Sequence, residues 1–492
     1  MKNLKIFILL FLFTIAACDT LDQVPVSIID QTNFYKTASD AEAAILGVYA
    51  NLRWFVSNNY IIPNSVRSDE GLAVRGGNWT RDERFQTRPV DGHVRDTWTA
   101  CYATIGRAND VLDNVPIIND PNLTTEQRNK ILGEAHFIRG FLHYHLVIRY
   151  GEIPYVTEAF NSPDQEYQPS REEVSTVYEK IIDDLLMAKE LMPADPSVKV
   201  RANKWAAAAM LAKVYLQRND SGDRALALAE INEVINSNGY RLVPAENYSD
   251  LFNPEQQRTV ESIFELSFGP AGLADAAFDR EMVASQNFRI GPETKLINAY
   301  KADSTLVVNS GKEEVRMAAA LEHYYPVLDE EGNCILTCDP TDFPKNEYFV
   351  DKYTKDDWKK IVDRATLHPN VILLRLADLL LLKAEILNEQ DDFDGAKLLL
   401  DQIRDRVNLP PSTATSKDEL RLAIEDERYV ELAFEGHRYW DLIRTGRATE
   451  VISNVDESGN IYAPTPEELL WPIPQADIDQ NPNLLPQNPG YF

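Results

Sequence analysis

Residues 420–446 read LRLAIEDERYVELAFEGHRYWDLIRTG, and the rest of the chain can be organised around them. Ser416 and Glu419 make a capping box just upstream, the signal of a helix start. Leu420, Ile424, Tyr429, Leu432 and Phe434 give that helix its apolar contacts. Glu427, Glu431 and Glu435 recur every four residues, so they form one acidic stripe on it, and Gly436 stops it. Arg438, Asp441 and Arg444 follow at three-residue spacing, with Tyr439, Trp440, Leu442 and Ile443 between them. Charges interleaved with large apolar groups predict a packed ion-pair junction between helices, since a purely solvated face would not carry those rings.

The same residues spell E-R-x-x-E-x-x-x-E-G-x-R-x-x-D-x-x-R, which resembles the signature of the SusD/RagB family of outer-membrane lipoproteins. Further blocks resemble that family in the right order: AAILGVY at 43–49, SDEGLAVRGGNWTRDE at 68–83, VILLRLADLLLLKAEILNE at 371–389, and the Pro-rich ending from Tyr462. The resemblance covers nearly the whole chain.

Lys2 and Lys5, an apolar run from Ile6 to Phe13 and small residues before Cys18 predict a signal peptide over 1–17. The run is too short to span a bilayer. Its ending resembles a lipobox, which implies lipidation of Cys18, with acyl chains that anchor at about 0.8 kcal/mol per buried CH₂. Asp19 and Asp22 resemble export signals of surface lipoproteins in Bacteroidetes. The expected location is the outer membrane, lipid-anchored and surface-exposed, with no transmembrane helix.

The chain has 492 residues and a formal charge of −28, which argues against nucleic acid and an anionic membrane surface as partners. Apolar content of 44% is ample for a large core. Cys101, Cys334 and Cys338 are no disulfide framework, although the last two can pair in an oxidising compartment.

The fold class expected is mainly α: a tetratricopeptide-like helix-pair scaffold with a loop-rich irregular region and a few short strands. After a tether over 18–37, residues 38–250 form a first helical region, 251–369 an irregular one, and 370–492 a second helical region with a Pro-rich tail. Helices are expected from Ser39 (capped with Glu42) to Arg53, Trp98 to Val115, Thr125 to Tyr150, Glu173 to Leu191 (capped at Ser170), Val200 to Gln217, Arg224 to Asn236 and Val371 to Glu389. Two segments resemble tetratricopeptide pairs: Ala212 and Tyr215 with Ala225 and Ala229, and Ala384 and Leu387 with Ala396 and Leu400. Ser262 to Ser267 alternates like a strand. Residues 58–96 carry four glycines and six arginines without helical period, and read as a long functional loop.

No catalytic or metal motif stands out. Glu427, Glu431 and Glu435 could be glycosidase carboxylates, but their flanking arginines point to structural ion pairs. His136, His143 and His145 fit packing or capping better than metal ligation. There is no G-x-S-x-G and no phosphate-cradling loop. No enzyme activity, cofactor or metal is expected.

Sugars are gripped by an aromatic face against the pyranose C–H face and by polar side chains on the hydroxyls. The family resemblance makes 68–83 the ligand-site loop, so Asp69, Arg75, Asn78, Trp79 and Arg81 are expected to bind, with Trp79 as an open stacking face. A second wall is expected among Phe278, Phe288, Tyr300, Tyr324 and Tyr325, of which Phe288 and Tyr324 are chosen; Trp98 reads as core. The resemblance implies an oligosaccharide ligand passed to a SusC-like TonB-dependent outer-membrane barrel. A peptide receptor of the same kind, a surface glycosidase and a helical scaffold without a ligand are the rivals.

Overall fold

Helix α1 (Ala38–Asn59) starts at a capping box in which the Thr37 hydroxyl accepts from the Asp40 N–H and the Asp40 carboxylate from the Thr37 N–H. Ser39 and Glu42 do not cap it, because the Glu42 carboxylate is bonded to Arg201. The computed structural model describes residues 34–74, 77–159, 168–253, 256–268, 290–323, 327–328, 334–336, 348–353, 370–455 and 461–491. The leader with Cys18, Arg75, Phe278, Phe288, Tyr324, Tyr325 and the Cys334–Cys338 pairing lie outside the described residues or their described side chains.

The expected structureless stretch 58–96 contains α2 (Ile61–Val66), β1 (Gly71–Ala73) and α3 (Asn78–Glu83). All of α2 is buried, so packing on every side stabilises it without an amphipathic period. Then come α4 (Gly92–Asn114), α5 (Thr125–Tyr150), α6 (Val174–Leu191), α7 (Lys204–Arg218) and α8 (Asp223–Asn236). Thr124 and Gln127 cap α5 as expected. Ser170 does not cap α6: the chain there is extended, with Glu172 bridged to Ile153, and Glu173 takes the N-cap position.

From α4 to α8 each helix packs on the next. Gly140 lets α5 and α6 approach closely; a Cβ there would sit 3.2 Å from the Leu185 side chain. The same contact carries a polar lock, in which Arg139 donates to both oxygens of Asp184 at 2.7 and 2.8 Å.

β2 (Ser262–Ser267) forms where expected, and its antiparallel partner is β8 (Asn370–Arg375). Between them lie β3 (Ile290–Pro292), paired with β1, then α9 (Thr294–Asn309), α10 (Arg316–Ala320) and β4 (Leu321–His323). β5 (Val327–Leu328) pairs with β6 (Cys334–Leu336), and β7 (Tyr348–Val350) with β4. The run 371–389, expected as one helix, is strand β8 followed by α11 (Leu376–Glu389). Every residue of β8 is buried, and a short, all-buried apolar run has no period that separates strand from helix.

The chain closes with α12 (Phe393–Arg406), α13 (Lys417–Glu431), α14 (Arg438–Arg444), α15 (Ala448–Val451), a small hairpin β9 (Asn454–Val455) and β10 (Ile461–Tyr462), and α16 (Gln475–Gln480). Helices α7 and α8 pair, α11 and α12 pair, and α11 lies against α8. The two tetratricopeptide-like units are thus neighbours in space though far apart in sequence. No described helix is long and apolar enough to cross a membrane.

Candidate functional site

The signature stretch forms a buried ion-pair hub. Ser416 caps α13, which ends at Glu431, so Glu435 lies in the turn beyond it rather than on the helix. Phe434 and Gly436 take φ of 61° and 80° in that turn. This swings Glu435 onto Arg375, whose Nε donates to it at 2.7 Å while Nη1 reaches Glu431 at 2.7 Å and Glu261 at 2.9 Å. Arg406 also binds Glu261 and Glu431, Arg316 binds Glu427 and Glu431, and Lys352 binds Glu435. Burial alone would raise the Glu431 carboxyl, but Arg406, Arg375 and Arg316 hold it well below the usual range. For Glu435, Arg375 and Lys352 outweigh burial and hold it at about 2. The three glutamates are buried and spoken for by cations, as the sequence suggested.

Arg438 carries the hub's logic to the expected ligand segment. Its Nε and Nη2 donate to the two oxygens of Asp69 at 2.7 and 3.0 Å, and Lys295 closes on the same carboxylate. The Tyr429 hydroxyl donates to the Asp69 carbonyl. Asp69 is therefore buried and fully engaged, which corrects its expected role as an open ligand contact: it ties the segment to α14. Next to it, burial pushes the Glu70 carboxyl up to about 7, with Asp69 adding to the shift. Ser65 donates to Oε1 at 2.6 Å, while Oε2 has no hydrogen-bond partner. Glu70 binds more protons folded than unfolded between about 4.3 and 7, so its contribution to stability falls as pH rises through 7. Glu70→Gln is expected to raise stability at pH 8 by about 1–3 kcal/mol and to flatten its dependence between pH 5 and 8, measured by urea unfolding.

Trp79 is 7% exposed, which corrects the expectation of an open stacking face. α3 turns its ring inward, to 5.0 Å from His93, which meets Trp471 at 5.2 Å. Trp471 continues to Tyr150 and then Trp98, so Trp79 is the outer end of a line of rings through the core. Trp98 is core, as expected. Tyr300, in the proposed second wall, is core too; its hydroxyl donates to the Val430 carbonyl at 2.8 Å.

Asp82 is buried beside His93 as well, whereas Asn78 and Arg81 face the other way. Arg81 and Asn78 are half-buried and bonded to each other, and Arg81 also grips Asp91 at 2.8 and 2.9 Å. Beside them the Arg84 guanidinium lies 5.1 Å from the Tyr462 ring on β10. The described rim of the segment is thus Asn78, Arg81, Arg84 and Tyr462. Sequence reasoning missed the last two, because the only hint of Tyr462 was its place at the head of the Pro-rich tail. No cluster that could hold a metal occurs among the described residues.

Residues 330–491 match a family profile described as the SusD family, and residues 33–216 match a SusD-like one described as starch-binding associating with outer membrane. SusD-like protein P2 of Formosa agariphila is 30% identical over 528 aligned residues, covering 100% of both chains. This chain belongs to the SusD family. A SusD-like protein of Bacteroides ovatus is 25% identical, over 98% of this chain and 97% of that one. Among solved structures, a SusD-like protein from Bacteroides fragilis shares the fold with a TM-score of 0.76 at 22% identity, covering 94% of this chain and 98% of that chain. A laminarin-binding SusD-like protein does so with a TM-score of 0.74 at 24% identity, covering 93% and 100%. The mainly helical, tetratricopeptide-like architecture is the SusD fold.

Proposed function

We propose that this chain captures oligosaccharide at the outer membrane, tethered by a lipid on Cys18, and hands it to a SusC-like TonB-dependent barrel without cleaving it. What carries the reading is the chain-length likeness to SusD-like proteins, one of whose fold relatives is described as laminarin-binding. The geometry supports capture rather than chemistry. The glutamates of the signature are locked in ion pairs, and the exposed side of α3 offers hydrogen-bonding groups beside the Tyr462 ring. Asn78 and Arg81 are assigned to sugar hydroxyls and Tyr462 to the pyranose face; Arg75, Phe288 and Tyr324, from the sequence, complete the assignment. Asp69 and Trp79 hold the segment from beneath.

The test is calorimetric titration with a panel of neutral oligosaccharides and peptides, with product analysis. Saturable glycan binding without new reducing ends is expected, and Asn78→Ala combined with Arg81→Ala lowers affinity about tenfold, as loss of hydrogen bonds to ligand should. Arg88 also holds Asp91, so the buried carboxylate keeps a cation in the variant, whose folding is checked by circular dichroism. Saturable peptide binding with a blank glycan panel would replace the sugar reading by a peptide receptor. Release of reducing sugar would replace it by a hydrolase.

A further inference from the structure

Away from the α3 rim, a cavity of about 230 Å³ opens where α7 and α8 meet α11, α13 and α14. It is far roomier than the ~10–15 Å³ a water needs and smaller than the roughly 300–1,000 Å³ of drug-sized sites. It suits a single ring rather than a chain.

Five arginines line it against four carboxylates, although the protein as a whole carries a charge of −28. Three of the carboxylates are already neutralised: Arg444 holds Glu385 and Asp441, Arg428 holds Asp441, and Arg447 holds Glu425. On the other side of the balance, Arg224 and Arg421 have no ion-pair partner among the described residues, and only Glu389 stands against them. The lining also contains Arg438, 5% exposed. Its Nε and Nη2 are spent on Asp69, but Nη1 has no hydrogen-bond partner, and its nearest carboxylate oxygen, on Glu425, is 3.6 Å away. A buried guanidinium donor without an acceptor is costly unless something fills the position. Leu216 and Ile424 supply an apolar wall, and Asn219 and Thr445 supply neutral polar groups.

We propose that this cavity is a second binding site, for one carboxylate-bearing sugar ring: the carboxylate meets Arg438 Nη1 and Arg421, and the ring lies on Leu216 and Ile424. The inference does not depend on the rim reading, because the cavity shares none of the rim's residues.

The experiment titrates the purified full chain with D-glucuronate and with glucose, its neutral counterpart, by calorimetry at two salt concentrations. Glucuronate is expected to bind saturably and at least about tenfold more tightly than glucose, the increment of a charge-assisted hydrogen bond. Raising salt should weaken it. Arg421→Gln with Arg224→Gln lowers glucuronate affinity about tenfold and leaves the neutral-oligosaccharide titration at the rim unchanged. Neither arginine has an ion-pair partner among the described residues, so the variant keeps its fold, checked by circular dichroism. Equal binding of glucose and glucuronate, no binding of either, or an unaltered double variant would overturn the proposal. So would saturation by an acidic peptide in place of the sugar acid. A blank neutral panel alongside normal glucuronate binding would fail the rim and leave the cavity standing.

Discussion

Replacing Arg375 with methionine is expected to lower stability by about 3–5 kcal/mol, read as a fall in the urea midpoint at unchanged slope. The side chain is fully buried and joins Glu261, Glu431 and Glu435. Methionine matches much of its volume but removes the hydrogen bonds that Arg375 gives to three buried carboxylates. Arg406 still reaches Glu261 and Glu431, and Lys352 still reaches Glu435, but no other side chain bridges all three. The hub spans β8, α12, α13 and the turn at Glu435, so its loss loosens the seam between the β2–β8 pair and the second helical unit. A drop of under about 1 kcal/mol would put these contacts in the class of exposed ion pairs and overturn the account.

Trp79→Ala is expected to cost about 3–5 kcal/mol, the usual result of emptying a large aromatic site. Its ring closes the outer end of the line that runs through His93 and Trp471. Oligosaccharide affinity measured well below the new midpoint should change less than about tenfold, because the ring faces the core. The paired variant Asn78→Ala with Arg81→Ala should show the opposite pattern, a binding loss with little change in midpoint. If Trp79→Ala abolished binding in a protein with parental stability, the inward ring would have to be reassigned to the ligand.

Much of the fold was legible because its signals are local. Thr124 with Gln127 marks the start of α5, Ser416 with Glu419 marks that of α13, and charges set among rings gave the hub its structural reading. Several of the misreadings share one cause: the deciding contact lies far away in sequence. Residues 371–375 look helical until β2 is brought alongside. Glu42 looks like a cap until Arg201 claims it. Asp69 looks like a ligand contact until Arg438 arrives from the other end of the chain. Trp79 sits in a polar, Gly-flanked stretch whose composition suggests exposure, but composition does not say which way a short helix is rotated. The cavity beside α13 was invisible for the same reason, since its walls come from segments more than a hundred residues apart.

The Pro-rich ending is stitched to the opening third of the protein. The Trp471 N–H donates to the Arg149 carbonyl, Gln475 to that of Pro89, and the Asn488 amide to that of Tyr150. A nascent chain emerges from its other end first. Until residues 471–488 have been made, the slot for Trp471 beside His93 stays unfilled. Closure of the first helical region thus depends on a segment encoded far downstream of it.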